Sequence, residues 1–244
     1  MNGIVLAAGG GTRLRPLTDA LPKTLLSVDG DRSIFELAVA NLREVDVTDV
    51  VVVVGHAAAA VADVAPVLER RYGVALDLRY NDKYALWNNA YSLWLARDAF
   101  ARSALVINGD TVHPPSVEQR LLDARGSADV VLALDDRKAL AEEEMKVLLD
   151  GDGRMVRINK ALDPATAHGE YIGVTLVEPA AGDRLADALQ AVFERDTTLY
   201  YEDGYQQYAD WGETIRTASI GAVDWVEVDN HDDLVRARSL ACRS

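Results

Sequence analysis

From Leu6 to Leu26 the chain reads L-A-A-G-G-G-T-R-L-R-P-L-T-D-A-L-P-K-T-L-L, residue types that together can grip a polyphosphate. Gly9, Gly10 and Gly11 let backbone N–H groups close on phosphate oxygens, because no Cβ intervenes. Arg13 adds a planar fork of donors and Lys23 a compact ammonium. Spacing separates this segment from two other phosphate loops. No Gly-Lys-Ser/Thr ends the run, as a P-loop requires. A G-x-G-x-x-G count from Gly9 places Leu14 where the third glycine belongs.

Carboxylates and a lysine downstream offer matching chemistry. Asp110 follows the apolar run Ala104–Ile107 and an Asn108-Gly109 turn, where open α/β sheets place ligands; it could also simply close that turn. In Trp225-Val-Glu-Val-Asp229, alternation puts Glu227 and Asp229 on one strand face, a repulsion that a cation would relieve. Asp229 could alternatively cap the helix that follows. In Met155–Lys160, alternation puts Val156, Ile158 and Lys160 on one face, so the ammonium either snorkels to solvent or meets an anion. Asn88 or Asn89 could cap a helix, with Asn88 and Ser92 one turn apart on one face. Their amides also suit the polar edge of a pyrimidine.

The signature L-A-A-G-G-G-T-R-L-R-P-L-T-x(3)-P-K resembles that of the nucleotidyltransferases that join an NTP to a sugar phosphate or a small alcohol phosphate. The resemblance implies a doubly wound, Rossmann-like (GT-A-like) α/β fold with a mixed sheet and a small antiparallel acceptor-binding extension. Residues 1–244 would form a single nucleotidyltransferase domain. It implies a nucleotide site at Leu6, Ala7, Ala8, Gly9, Gly10, Gly11, Thr12, Arg13 and Lys23. Mg²⁺ would sit on Asp110 and Asp229, and Lys160 would hold the acceptor's phosphate. Arg13, Lys23, Asp110 and Lys160 become the catalytic set. Glu170 resembles an acidic position lining the acceptor site, or is a surface residue. The segment Asn81-Asp-Lys-Tyr-Ala-Leu-Trp-Asn-Asn-Ala-Tyr-Ser-Leu93 resembles the N-x-x-Y…N-N-x-Y-S-L pattern of cytidylyltransferases acting on choline phosphate, inositol phosphate and phosphonates. It implies CTP as donor, with Asn81, Asn88 and Ser92 at the nucleotide. Glu143-Glu-Met-Lys146 and Tyr200-Tyr-Glu-Asp203 also resemble this subfamily. The late aromatics, Tyr201 and Trp211 among them, could form a cation cage at the acceptor or belong to the core. Two segments depart from the larger sugar enzymes, Arg32-Ser-Ile-Phe-Glu36 and Gly55-His-Ala-Ala-Ala59. The second lacks a polar acceptor anchor.

Apolar runs alternating with helical patterns must position these groups. Strands are expected at Gly3–Ala8, Val50–Val54, Val74–Tyr80, Ala104–Ile107, Val130–Leu134, Tyr171–Val177 and Trp225–Val228. Helices are expected from a Ser33 cap onward, at Ala57–Tyr72 (kinked or split at Pro66), Asn88–Arg102, Ala180–Arg195 and His231–Ala241. Lys146–Lys160 reads as a hairpin turning at Asp150-Gly-Asp-Gly153, which lacks the terminal Glu of a calcium loop. A net charge of −14 argues against nucleic-acid or anionic-membrane partners. A single cysteine, Cys242, supports neither a disulfide framework nor a metal cluster. With no signal-peptide pattern and no apolar span, a cytoplasmic protein is expected, and a homodimer is the default assembly. No β-helix domain is expected after the closing helix, which disfavours bifunctional uridylyltransferases.

Together these readings describe a CTP-dependent cytidylyltransferase joining CMP to a small phosphate or phosphonate acceptor and releasing pyrophosphate. A sugar-1-phosphate nucleotidyltransferase using GTP or UTP is the nearer alternative. A non-catalytic nucleotide-sensing module is the more distant one.

Overall fold

The first apolar run forms β1 (Asn2–Ala7), whose alternate residues serve two separate cores: Ile4 faces one layer, Val5 and Ala7 the other. The structure, a computed structural model, describes residues 1–241; Cys242 lies outside them. After the glycine loop, a short hairpin of β2 (Ser27–Asp29) and β3 (Arg32–Ser33) leads into α1 (Ile34–Glu44). The Ser33 hydroxyl accepts from the Glu36 N–H at 3.1 Å, capping the helix as expected. The valine run is β4 (Asp49–Val54), followed by α2 (Ala58–Tyr72) and β5 (Ala75–Tyr80). Pro66 does not split α2, which continues on both sides of it. The expected Asn88–Arg102 helix does divide, into α3 (Ala90–Leu95) and a 3-10 segment at Arg97–Ala101.

Next come β6 (Ala104–Asn108), β7 (Thr111–Val112), α4 (Ser116–Asp123) and β8 (Val130–Asp135). The expected hairpin is β9 (Lys146–Leu149) and β10 (Met155–Asn159). Asp150 Oδ1 accepts from the Asp152 and Arg154 N–H groups and so fixes its turn. The chain ends with β11 (Gly169–Val177), α5 (Gly182–Arg195), α6 (Tyr201–Asp210), β12 (Ile215–Ser219), β13 (Val226–Glu227) and α7 (His231–Ala241).

β1 lies between β4 and β6, all parallel, and β5 extends the sheet beyond β4. β11 runs antiparallel to both β6 and β8, and β12 is parallel to β8. The β9–β10 hairpin attaches to the first two residues of β11, which makes the antiparallel extension. Helices α1, α2 and α4 cover one face; α3, α5 and α6 cover the other. This is the expected α/β architecture, with a mixed central sheet. The tyrosines of α6 are core rather than cage. Tyr201, Tyr205 and Tyr208 are buried, and Tyr201 meets Tyr171 and Tyr205 edge to face. Among the described residues no helix is long and apolar enough to cross a membrane.

Close packing between the ends of β1 and β6 places Asp110. The Gly109 N–H donates to the Leu6 carbonyl at 3.0 Å, and a Cβ on Gly109 would lie 2.4 Å from that oxygen. Because that oxygen is backbone, Gly109→Ala should lower stability by roughly 2 kcal/mol in urea unfolding. An unchanged midpoint would contradict this packing.

Candidate active site

Three distant segments converge on one ammonium. Lys23 begins a 3-10 turn after Pro22, and its Nζ lies 2.8 Å from Asp110 Oδ2 and 2.9 Å from Asp229 Oδ1. Arg13 Nη2 donates to the other oxygen of Asp229 at 2.7 Å. The ribbon of β7 and β13 holds the two aspartates in register, with the Val228 N–H donating to the Asp110 carbonyl at 2.9 Å. Capping of α7 falls to Asn230, whose Oδ1 accepts from the Asp232 and Asp233 N–H groups. The Asp229 carboxylate is thereby left for Lys23 and Arg13.

Burial alone would lower the pKa of Lys23, but the charges of Asp110 and Asp229 reverse that and hold the ammonium protonated. Desolvation would raise the Asp229 carboxyl, but the Lys23 ammonium and the Arg13 guanidinium outweigh it and hold it below the ordinary carboxylate range. Glu227 moves the opposite way: desolvation, then the charges of Asp110 and Asp229, push its carboxyl upward. Carboxylate oxygens of Asp110, Glu227 and Asp229 lie within 4.8 Å of one another. Asp110 Oδ1 is buried without a hydrogen-bond partner. Three hard oxygen donors, one of them orphaned, fit a divalent cation.

Two cavities meet here. One, about 230 Å³, is lined by Leu6, Ala8, Gly9 and Arg13 of the loop and by Asn89, Ser92, Asn108, Tyr200 and Glu202 opposite. The other, about 740 Å³, includes Lys138, Glu170 and Trp225. Arg13, Lys160, Glu227 and Asp229 line both. Ala7 faces the core, and Gly10, Gly11 and Thr12 form the turn, tied by Thr18 Oγ1 donating to the Gly11 carbonyl at 2.7 Å.

Several sequence assignments need correction. Asn88 does not line the cavity: it precedes α3, and its Nδ2 donates to the Thr198 carbonyl at 2.9 Å. Asn89 lines it instead and does not cap α3 with its side chain; its Oδ1 accepts from the Tyr201 N–H, at the start of α6, at 2.9 Å. Asn81 is buried one layer back, its Nδ2 donating to Ser92 Oγ at 2.9 Å. Lys160 reaches both cavities, but not through the expected register. A bulge between Met155 and Arg157 buries Met155 and Ile158 and exposes Val156, and Lys160 lies just past the strand. Tyr201 is behind the cavity floor, its hydroxyl donating to Asn108 Oδ1 at 2.8 Å. Trp211 lies against the Arg184 guanidinium, 4.1 Å from its ring centroid, and lines neither cavity. Glu170 is no surface residue: it is buried 2.5 Å from Lys138 Nζ, and burial pushes its carboxyl up to about 7 despite that lysine.

Asn89, Asn108, Lys138, Trp225 and Glu202 were not singled out as site residues from the sequence. Asn89 and Trp225 sat inside segments already noted, one position from the expected residue or on the aspartate strand. Lys138 stands in an irregular segment without periodicity.

A doubly wound α/β sheet with a glycine–arginine loop facing a lysine-bridged aspartate pair defines a nucleotidyltransferase. Residues 2–144 match the nucleotidyl transferase family, and the chain belongs to it. A choline-phosphate cytidylyltransferase from Streptococcus pneumoniae is 39% identical over 106 residues, 43% of each protein. One from Haemophilus influenzae is 26% identical over 96% of this chain and 94% of its own length. A 2-aminoethylphosphonate cytidylyltransferase from Lancefieldella rimae is 30% identical over 84% of this chain and 76% of its own. The fold matches the structure of an inositol-1-phosphate CTP transferase from T. maritima, with TM-score 0.84 and 24% identity over 99% of this chain and 95% of that one.

Removing the bridging ammonium should leave the carboxylates repelling one another. Lys23→Ala is expected to lose about 3 kcal/mol in urea unfolding in metal-free buffer, with millimolar Mg²⁺ restoring part of it. An unchanged midpoint without metal would remove Lys23 from the centre of this network.

Proposed function

We propose that this chain transfers a cytidylyl group from CTP to a small acceptor carrying a phosphate or phosphonate. An acceptor oxygen attacks the α-phosphorus, the bond from that phosphorus to the α–β bridging oxygen breaks, and pyrophosphate leaves. One observation carries the reading: Arg13, Asp229 and Lys160 line both cavities, so a triphosphate grip and an acceptor anion site share one wall. Full-length similarity to a choline-phosphate cytidylyltransferase, and to a 2-aminoethylphosphonate cytidylyltransferase over most of its length, supports cytidine and this class of acceptor.

In this reading the loop N–H groups and Arg13 hold the triphosphate, and Lys23 neutralises charge that develops as pyrophosphate departs. Asn89 and Ser92 present the amide and hydroxyl that a pyrimidine edge requires. Lys160 orients the acceptor's anionic group for in-line attack. That group is already ionised near neutral pH, having a second pKa of about 6 if a phosphate, so no general base is needed. Asp110, Glu227 and Asp229 would hold Mg²⁺, which supplies charge neutralisation on the phosphates when bound. The chain would act as one nucleotidyltransferase domain in the cytoplasm, with a homodimer the default assembly.

Pyrophosphate release measured across CTP, UTP, GTP and ATP with phosphate, phosphonate and sugar-1-phosphate acceptors tests the reading. CTP should exceed the others in kcat/KM by at least about tenfold. Higher turnover with GTP or UTP and a sugar 1-phosphate would replace it. With the best pair, Lys23→Ala or Asp110→Ala should cut kcat by on the order of 100-fold. Near-normal turnover would exclude that residue from the chemistry.

A further inference from the structure

The segment after β4, Gly55-His-Ala-Ala-Ala59, lines neither cavity, yet its backbone is under strain. Ala57 has φ 46° and ψ 39°, a left-handed conformation that a residue with a Cβ adopts at a cost. Gly55 is packed so closely that a Cβ would lie 2.5 Å from Tyr84 Cβ and 2.8 Å from the Ala8 carbonyl oxygen. A strained turn persists only where its surroundings hold it, so its contacts are informative. They lead to the glycine loop.

His56 meets that loop at both ends. Its backbone N–H donates to the Ala8 carbonyl at 3.1 Å, just before Gly9. Its imidazole Nε2 lies 2.8 Å from the Thr18 carbonyl oxygen; a carbonyl only accepts, so Nε2 carries the proton and donates. Thr18 is fully buried and passes the contact on, its Oγ1 donating to the Gly11 carbonyl at 2.7 Å. Gly11 has φ 55°, and a Cβ there would lie 3.0 Å from Lys23 Cβ and 3.1 Å from Thr18 Cγ2. The turn therefore rests directly on Thr18, which His56 holds, and on Lys23, which bridges the aspartates.

We propose that His56 is a positioning residue for the nucleotide, clamping the glycine loop between Ala8 and Thr18 in its phosphate-binding shape. The inference rests on the reading of that loop as a triphosphate grip, and adds to it a residue that lies outside both cavities. Loop N–H groups bind phosphate well only if they already converge, because ordering a glycine-rich segment at binding costs affinity. Three consecutive glycines provide close approach but no stiffness of their own. Restraint comes from outside the loop, through one imidazole bond and one backbone bond from the end of β4. Loss of the imidazole bond should therefore weaken nucleotide binding and leave acceptor binding and the chemical step alone.

The test uses His56→Leu, which removes the donor, His56→Gln, whose amide can donate from a similar reach, and Thr18→Val, which cuts the link to Gly11. The backbone bond to Ala8 is available in all three, so they isolate the imidazole path. With CTP, Mg²⁺ and the best acceptor, His56→Leu and Thr18→Val should each raise the KM for CTP roughly 5- to 10-fold, the worth of one hydrogen bond. His56→Gln should recover most of the loss. kcat and the acceptor KM should stay within about twofold, and the double variant should be little worse than either single one. In the unliganded protein, hydrogen exchange at the Leu14 and Leu17 amides, which donate to the Gly11 and Leu14 carbonyls, should quicken in His56→Leu. An unchanged KM for CTP in His56→Leu, with wild-type turnover intact, overturns the inference and leaves cytidylyl transfer standing. So does a loss spread evenly over kcat and both KM values that His56→Gln does not rescue, the outcome of a merely structural role. Wild-type protein that binds no nucleotide at all removes the reading of the loop, and this inference with it.

Discussion

The ammonium of Lys23 is the point on which the site depends. It joins the turn after the glycine loop to the end of β6 through Asp110 and to the approach to α7 through Asp229. These segments are far apart in sequence, and without a cation their carboxylates would repel across a partly desolvated gap. Arg13 adds a second positive contact to Asp229 from the far side of the loop. The arrangement holds both signs of charge in fixed positions, so under the proposed function little reorganisation would be needed when a triphosphate and its cation bind. Orphaned Asp110 Oδ1 marks where the network remains unsatisfied within the protein alone.

The part of this site built by the glycine loop was legible in the sequence because its residues are local. Strand, glycine turn, Arg13 and Lys23 lie within one short stretch, and alternation along β1 is undisturbed. Asp110 was legible because it closely follows a plain apolar strand run, and Asp229 because alternation along Trp225–Asp229 set it on one face with Glu227. The part built around Lys160 and Asn89 was less so. A bulge in β10 moved Val156 off the face that simple alternation assigned to it, and Lys160 reached the cavity from beyond the strand. A helix starting two residues later than expected exchanged Asn88 for Asn89.

Aromatic residues illustrate the same limit in another way. Composition showed a late cluster that could be core or cage, and only packing separates the two. Tyr201, one residue from the exposed Tyr200, is buried against Tyr171 and Asn108, so the site is lined by one tyrosine and floored by the other. Close approach sharpens that floor: Gly173 has φ 84°, and a Cβ there would lie 2.5 Å from Asn108 Nδ2. Long-range contacts of this kind leave no periodic trace in a sequence.

The proposed cytidylyl transfer makes one chemical demand: the α-phosphoryl group must pass intact from nucleotide to acceptor. Phosphorus NMR of CTP, 2-aminoethylphosphonate and Mg²⁺ with the enzyme observes that transfer directly. The account predicts pyrophosphate and a new phosphoanhydride resonance appearing together in equal amounts. Release of inorganic phosphate with no phosphoanhydride, or CTP left unchanged while bound, would contradict it.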